Sequence, residues 1–228
     1  MSASVVTIYN WALSAIGTGA RVQLATEGSP EANECNLWYD NVRDQILRSA
    51  PWDSARSFKR LALSVERSDS AQWEPTDPAP GWRYAYAVPQ DLIAPRYLSS
   101  YERFELGVNS LDQKVLYCNS PGALLCYTKQ QKRVDLWEAD LQAAIAFGLG
   151  AHIAMQLTGN RDKVSLVTAQ AIDKILSARV NGANAPQFAL ETVPEHLAGR
   201  GYGGLTPYTP YIYPWAEFSV QGFASGTT

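Results

Sequence analysis

The residues that could do chemistry in this chain are few, and their spacing does not combine them into a reactive site. The sequence contains two histidines, His152 and His196, and three cysteines, Cys35, Cys118 and Cys126. A metal site needs three or four ligands that converge. His152 has no acidic or cysteine partner three or four residues further on, so we interpret it as a buried or interface histidine. The sequence therefore predicts no metal and no cofactor.

One glycine-rich motif and several pairs of acidic residues have the residue types of a nucleotide-binding or catalytic site. The surrounding sequence does not provide the structure that such a site requires. Residues 199–204 fit the Gly-x-Gly-x-x-Gly pattern, but a proline-rich segment follows where a helix N-terminus would have to hold a pyrophosphate. Glu138 lies close in sequence to Asp140, as Glu102 does to Glu105. Such pairs are common on solvated surfaces, and glycoside hydrolysis would require them to line a sugar-binding cleft.

Composition places the chain among globular proteins and argues against electrostatic capture of nucleic acid. Hydrophobic residues make up 46% of the 228 residues, charged residues 18%, and the net charge is −3, whereas domains that grip nucleic acid are usually basic. The densest basic run, 129–133, leads into a predicted helix and is interpreted as a surface turn. An odd number of cysteines without Cys-x-x-Cys spacing fits a reducing compartment.

No secretory or membrane segment is predicted. The N-terminus lacks the basic region and apolar run of a signal peptide. The most apolar stretch, 141–157, contains Gln142, His152 and Gln156 and is short for a membrane span. We expect it to be a buried helix.

Hydrophobic periodicity predicts two helices near the N-terminus and two longer helices after residue 134. The second helix begins with Ser29 as its cap and Pro30 in its first position, and it ends at Ala50. The third begins at a sequence with the form of a capping box, with Asp135 as the cap. Its alanines and glycines allow a neighbouring helix to approach closely. The fourth is predicted to end at Asn181.

Between residues 82 and 129 the period changes to that of β-strands. Trp82, Tyr84 and Tyr86 alternate with smaller or charged residues. Cys118 and Cys126 flank a predicted hairpin turn and could face each other, but we interpret them as separate buried thiols. Further runs that favour strands are 103–108, 114–119 and 124–129.

These elements predict an α+β fold that is mainly α. It is a helical bundle of about four helices, interrupted by a small antiparallel β insertion and followed by an extended C-terminal arm. The bundle comprises residues 1–63 and 134–185. The insertion with its loop covers 64–133, and the arm covers 186–228.

The end of the arm, residues 201–228, has an unusual composition. It contains seven aromatic residues, three prolines and a single charge, Glu217. The prolines hold the backbone extended, and the segment is too apolar for a solvated tail. We expect it to be ordered by a receiving surface, on a partner or alternatively on its own domain. The seven rings are Tyr202, Tyr208, Tyr211, Tyr213, Trp215, Phe218 and Phe223.

Three segments in order resemble the head-to-tail adaptor proteins of short-tailed bacteriophages, of the tail tubular protein A type. The first is the helix ending Leu-Ser-Ala-Ile-Gly at 13–17, and the second runs from Glu34 to Asp44 and into Ala-Pro-Trp-Asp-Ser-Ala at 50–55. The third and most specific is Trp-x-Tyr-Ala-Tyr-x-x-Pro-x-Asp at 82–91. The resemblance covers about residues 5–180, without 64–80 or the segment after Pro186.

The resemblance implies a structural protein of the virion and not an enzyme. Twelve subunits would form a ring at the head-to-tail junction, with the portal protein above and the tail nozzle protein below. Genomic DNA would pass along the axis without sequence-specific binding, and a mildly acidic protein would let it slide. The arm would dock on the portal or on neighbouring subunits, where many copies add avidity. The protein would be made in the host cytoplasm and would contact no membrane.

Six residues are predicted to have structural roles where helices meet the sheet. Large half-buried rings suit such a junction, proline ends a strand, and aspartate caps a turn. These residues are Trp52, Trp82, Tyr84, Tyr86, Pro89 and Asp91. Two alternative functions remain at this point. One is a tail-associated peptidoglycan hydrolase that uses Glu102 and Glu105, and the other is a monomeric interaction module whose arm folds back on its own sheet.

Overall fold

Four α-helices and seven β-strands form the part of the chain that the computed structural model describes, residues 4–68, 74 and 77–184. They belong to one compact unit, Met1–Pro186, and the second unit, Gln187–Thr228, lies outside the described residues. The helices are α1 (Val5–Ala15), α2 (Pro30–Ser49), α3 (Ala139–Thr158) and α4 (Arg161–Asn184). The strands are β1 (Arg56–Arg60), β2 (Leu63–Glu66), β3 (Tyr84–Ala87), β4 (Leu92–Leu98), β5 (Phe104–Val108), β6 (Lys114–Cys118) and β7 (Leu124–Lys129).

The prediction of a mainly helical bundle with a small β insertion is wrong. The strands form two antiparallel sheets, ordered β1-β7-β4 and β2-β3-β6-β5, and they have a hydrophobic cluster of their own. Strand β1 also falls within residues assigned to the bundle. Its sequence, Arg-Ser-Phe-Lys-Arg, has a single apolar residue, so it has no alternating pattern that would identify a strand.

Local capping explains where the helices begin and end. The Ser29 side chain accepts a hydrogen bond from the amide of Ala32, and Pro30 opens α2. Helix α3 ends at Gly159, whose φ of 61° is left-handed. The predicted cap of α3 is wrong, because that helix begins after Glu138. Asp135 instead lies in a short 3-10 turn and pairs with Arg133 at 2.7 Å.

Helix α3 is the centre of the helical layer. A Cβ atom on Gly148 would lie 3.0 Å from Ile46 of α2, and one on Gly150 would lie 3.2 Å from the carbonyl oxygen of Ala12 in α1 and 3.5 Å from Val167 in α4. Close approach to the small residues of α3 is thus confirmed. By length and composition α3 could also cross a membrane, but half of its apolar window is buried in the protein.

The two sheets share a core, and the chain passes repeatedly from one to the other. Strand β6 pairs with β3 and β5, whereas β7 pairs with β1 and β4. The predicted hairpin between β6 and β7 is therefore wrong. Leu116 and Cys118 of β6 pack in the same cluster as Leu125 and Tyr127 of β7. Cys118 and Cys126 are buried free thiols, as interpreted from the sequence.

Three buried weak acids, two tyrosine hydroxyls and one cysteine thiol on α1 and α2, predict a loss of stability at alkaline pH. Burial raises the pKa of the Cys35 thiol from 9.0 to about 12 and that of Tyr39 from 10.0 to about 12, and it also raises the pKa of Tyr9. The unfolded chain releases these protons at lower pH than the folded chain does. Stability from these groups is therefore complete below about pH 9 and is lost as the pH rises toward 12.

The measurement is the free energy of unfolding by urea at several pH values between 8 and about 11. Cys35→Ala is the control, because Cys35 has the lowest pKa of these three groups in the unfolded chain. The fall just above pH 9 should be shallower in this variant. An equal slope in both proteins would contradict the assignment of Cys35.

Candidate assembly surface

The six residues predicted for the helix–sheet junction divide between the two halves of the molecule. Trp52 packs in the helical cluster, and its indole N–H donates to the carbonyl oxygen of Ile46 at 2.8 Å. Tyr86 is buried in the β cluster, with Tyr84 packed against it. Trp82 packs on a small separate cluster. Two further residues follow β3: Pro89, which is buried, and Asp91, which accepts a hydrogen bond from the Tyr127 hydroxyl at 3.1 Å.

One side chain that connects the β1-β7-β4 sheet to helix α2 is Arg96 of β4, which sequence reasoning missed. Its Nε donates to the Thr128 hydroxyl at 2.8 Å, and its Nη2 lies 2.5 Å from the carbonyl oxygen of Ala50. The carbonyl oxygens of Leu47 and Arg48 lie within 3.4 Å of the same nitrogen. A helix leaves its last carbonyls unpaired, and a cation there is favourable. Burial lowers the pKa of Arg96.

Side-chain amides and a carboxylate complete this connection. Gln130 donates to the Asp44 carboxylate at 2.7 Å, and Gln131 donates to the carbonyl oxygen of Ser54 at 3.1 Å. The amide and hydroxyl of Ser54 both donate to Glu138. Residues 129–133, interpreted as a surface turn, therefore also hold the end of β7 against the helices.

Helix α4 has two apolar faces, and one of them points to solvent. Val167, Ala171 and Ala178 are at most 3% exposed and pack inward. At about 100° per residue, a second set of apolar residues lies on the opposite side. This outer face of α4 consists of Leu166, Ile172, Leu176 and Val180, which are 59, 55, 52 and 57% exposed. Apolar side chains grouped on an exposed helix face are typical of a protein contact surface, and Asp162 and Asp173 lie within the same face.

A groove runs beside α4, between α1, α3 and α4. It is open to solvent, has a volume of about 610 Å³ and is lined by Trp11 of α1, Phe147 of α3 and Lys174 of α4, among others. Trp11 is 44% exposed, and the Lys174 ammonium lies 6.0 Å from the centre of the Phe147 ring. The groove and the outer face of α4 thus form adjoining surfaces that expose apolar groups.

The residues considered for catalysis lie away from this groove. Glu102 and Glu105 are exposed, and Glu105 accepts a hydrogen bond from the Trp82 indole at 3.1 Å. Asp140 accepts a hydrogen bond from Asn181 at 2.9 Å. His152 is exposed and stacks on Trp38, with ring centres 4.8 Å apart. Among the described residues, no three His, Cys, Asp or Glu side chains are grouped so that they could share a metal ion.

The predicted docking arm lies outside the described residues. Its seven rings are Tyr202, Tyr208, Tyr211, Tyr213, Trp215, Phe218 and Phe223. A comparison of the chain with protein-family models and with curated proteins finds no match.

Proposed function

We propose that this chain is a structural head-to-tail adaptor of a phage virion. Copies form a twelve-fold ring that joins the portal protein to the tail nozzle protein and surrounds the DNA exit channel. The observation that carries the proposal is the outer face of α4, because four apolar side chains more than half exposed on one helix face are typical of a protein contact surface. The resemblance of about residues 5–180 to the adaptor family suggests which proteins provide the surface that contacts this face.

Charge and composition fit this role. A net charge of −3 lets DNA pass through the ring without strong retention. The apolar sequence of α3 is accounted for by its place among three other helices. In this proposal the protein acts without a cofactor, catalyses no reaction and contacts no membrane. It resides at the head-to-tail junction of the virion after synthesis in the host cytoplasm.

The arm, residues 201–228, is proposed as the strap that docks on the portal or on a neighbouring subunit. Seven aromatic rings provide a large apolar contact at low cost in side-chain entropy. A ring presents many copies at once, so a modest contact in each copy gives a strong attachment.

No observation favours the hydrolase. It would need Glu102 and Glu105 to line a cleft, but both are exposed and neither belongs to the groove beside α4. The monomeric module would leave the outer face of α4 in water, unless the arm of the same chain covered it.

The proposal is tested by electron microscopy of the full-length chain mixed with the portal protein of the same phage. We expect a twelve-fold ring on the portal. A preparation that forms no ring on the portal, while both proteins are folded, would exclude the adaptor function.

Deletion of residues 201–228 should weaken binding to the portal by tenfold or more, on the order expected for loss of a multivalent contact. The thermal unfolding of the helices and sheets should stay unchanged, because they belong to the unit Met1–Pro186 and the deleted residues do not. A full-length variant with the seven rings replaced by serine is the matched control for chain length. If either the deletion variant or the serine variant bound the portal as tightly as the intact chain does, the proposed role of the arm would be contradicted.

A further inference from the structure

Three aromatic side chains form a row across one face of the β1-β7-β4 sheet. Phe58 of β1 and Tyr97 of β4 both lie opposite Cys126 of β7, and directly opposed residues point to the same side of a sheet. Tyr101 extends this aromatic row beyond β4, because its ring stacks on Tyr97 with centres 6.1 Å apart and planes 9° apart. Phe58 and Tyr101 are 48 and 52% exposed, whereas Cys126 is 1% exposed. The rings therefore form a surface above a buried thiol.

The backbone of Tyr101 places its ring at a conformational cost. Its φ is 56°, in the left-handed region that bulky residues seldom adopt, and its amide donates to the carbonyl oxygen of Leu98 at 2.9 Å. Residues in such conformations cluster at functional and ligand-binding sites. The conformation therefore points to a role for this exposed ring.

The sheet around the aromatic row offers hydrogen-bond donors and little negative charge. Its three strands contain five basic residues and no acidic residue. By alternation along β1, Arg56 and Arg60 lie on the same side as the row. Arg56 pairs with Asp53 at 2.7 Å, whereas the exposed Arg60 side chain forms no ion pair or hydrogen bond with the described residues. The exposed carboxylate of Glu102 follows the row in sequence. Arg60 can thus donate to the acceptors of a bound segment.

The arm of the chain has the chemistry that suits this surface. It has proline at 207, 210 and 214, and residues 201–228 contain no basic side chain. Proline-rich segments favour the polyproline II conformation, which has no internal hydrogen bonds, so its carbonyl oxygens can accept from a partner. Such segments dock on surfaces lined with aromatic rings.

The spacing of the prolines matches that of the rings. Phe58 and Tyr97 belong to the two strands that flank β7. At about 4.8 Å between neighbouring strands, their Cα atoms are roughly 10 Å apart. Polyproline II advances about 3.1 Å per residue, so Pro207 and Pro210 would lie roughly 9 Å apart. Two successive prolines can therefore contact the two rings.

We propose that residues 207–214 of one copy dock on the aromatic row of a neighbouring copy. This inference rests on the ring of the proposed function, and it selects the neighbouring subunit as the surface that receives this part of the arm. Phe58 and Tyr97 contact the prolines, and Arg60 donates to carbonyl oxygens of the segment. The arm and the row are different surfaces, so the contact repeats from copy to copy and can close into a ring.

Peptide binding tests the surfaces. The receptor is the full-length chain with serine in place of the seven rings and three prolines of its own arm, and the probe is a labelled peptide of residues 201–216. Fluorescence anisotropy should show saturable binding. Replacing the three prolines of the peptide with alanine should weaken binding about tenfold or more, as should Phe58→Ser or Tyr101→Asn in the receptor. Asparagine tolerates the left-handed backbone at 101. Leu111→Ser, at a residue that is 73% exposed on the turn between β5 and β6, is the matched control and should change nothing.

Cross-linking of the full-length chain shows which copy provides the arm. Ser100→Cys places an exposed thiol beside Tyr101, Thr209→Cys places one between two prolines, and the native cysteines are buried. With a short bismaleimide, the mixed single variants should give a covalent dimer, and either variant alone should give none. The double variant should give a ladder of three or more subunits. Leu111→Cys mixed with Thr209→Cys should give no dimer.

The possible failures are distinguishable. Rings of the wild-type chain on the portal, with peptide binding that ignores the aromatic row, would overturn this inference and leave the proposed function standing. So would a peptide that binds the portal and not the receptor chain. Cross-links within single chains of the double variant, with no dimer from the mixture, would overturn it in favour of an arm that docks on its own sheet. A wild-type chain that is monomeric at every concentration, with or without the portal, would overturn both proposals.

Discussion

Replacing Trp52 with alanine is expected to lower the free energy of unfolding by about 3–5 kcal/mol, whereas Trp82→Ala should lower it by about 1 kcal/mol. Trp52 is 3% exposed within the helical cluster, and its indole also bonds the carbonyl oxygen of Ile46. Its removal leaves a cavity in this cluster, on the side where a Cβ atom on Gly182 of α4 would lie 3.9 Å from the ring. Trp82 is half-buried, and its indole bonds an exposed glutamate.

Urea unfolding followed by far-ultraviolet circular dichroism measures both effects. Trp52→Phe is the control that retains most of the apolar volume but not the N–H donor, and it should cost about 1–3 kcal/mol. From highest to lowest, the expected order of stability is wild type, Trp82→Ala, Trp52→Phe and Trp52→Ala. Equal losses from the two tryptophan-to-alanine changes would contradict the assignment of Trp52 to the main core.

The parts of the fold that follow from local sequence were predictable. Ser29 with Pro30 marks the start of α2, and Gly159 supplies the left-handed residue that ends α3. Each signal acts within a few residues, so the sequence alone contains the whole interaction. The predicted start of α3 was wrong: Asp135 lies in a 3-10 turn, where it pairs with Arg133 and caps no helix.

The extent of the β half depends on interactions that are distant in sequence. Strand β1 reaches its partner β7 across about 70 residues, with Arg56 opposite Thr128. Its one apolar residue, Phe58, is 48% exposed. A strand of this kind is selected by backbone pairing with its neighbour, and backbone groups carry no sequence pattern. The same limitation explains the wrong hairpin, because a turn sequence does not specify which sheet the next strand joins.

Only part of the candidate assembly surface could be predicted from the sequence. Ile172, Leu176 and Val180 recur at helical spacing, so the outer face of α4 is present in the sequence. It was missed because the inner face gives an equally good pattern, and burial decides between the two. Arg96 had no comparable signal, since its partners at the end of α2 are main-chain carbonyl oxygens.

Replacing Arg96 with methionine is expected to lower the free energy of unfolding by about 2 kcal/mol, because hydrogen bonds to charged groups contribute roughly 1.5–3 kcal/mol. Methionine retains the apolar stem but donates no hydrogen bond. The last carbonyls of α2 and the Thr128 hydroxyl then lose their common partner. Hydrogen exchange of the last turn of α2 should become faster, with little change in α1, whose cap at Ser4 is independent of Arg96.

Two further variants distinguish this local role from a general effect of losing an arginine. Arg83→Met removes an exposed ion pair with Glu66 and should change stability by about 0–1 kcal/mol. Arg96→Lys retains the charge, but an ammonium group lacks the planar fork that reaches Thr128 and Ala50 together, so it should recover only part of the loss. Full recovery by lysine would mean that charge near the helix end is sufficient. Faster exchange throughout the helices of Arg96→Met would mean that Arg96 supports the whole helical layer and not the end of α2.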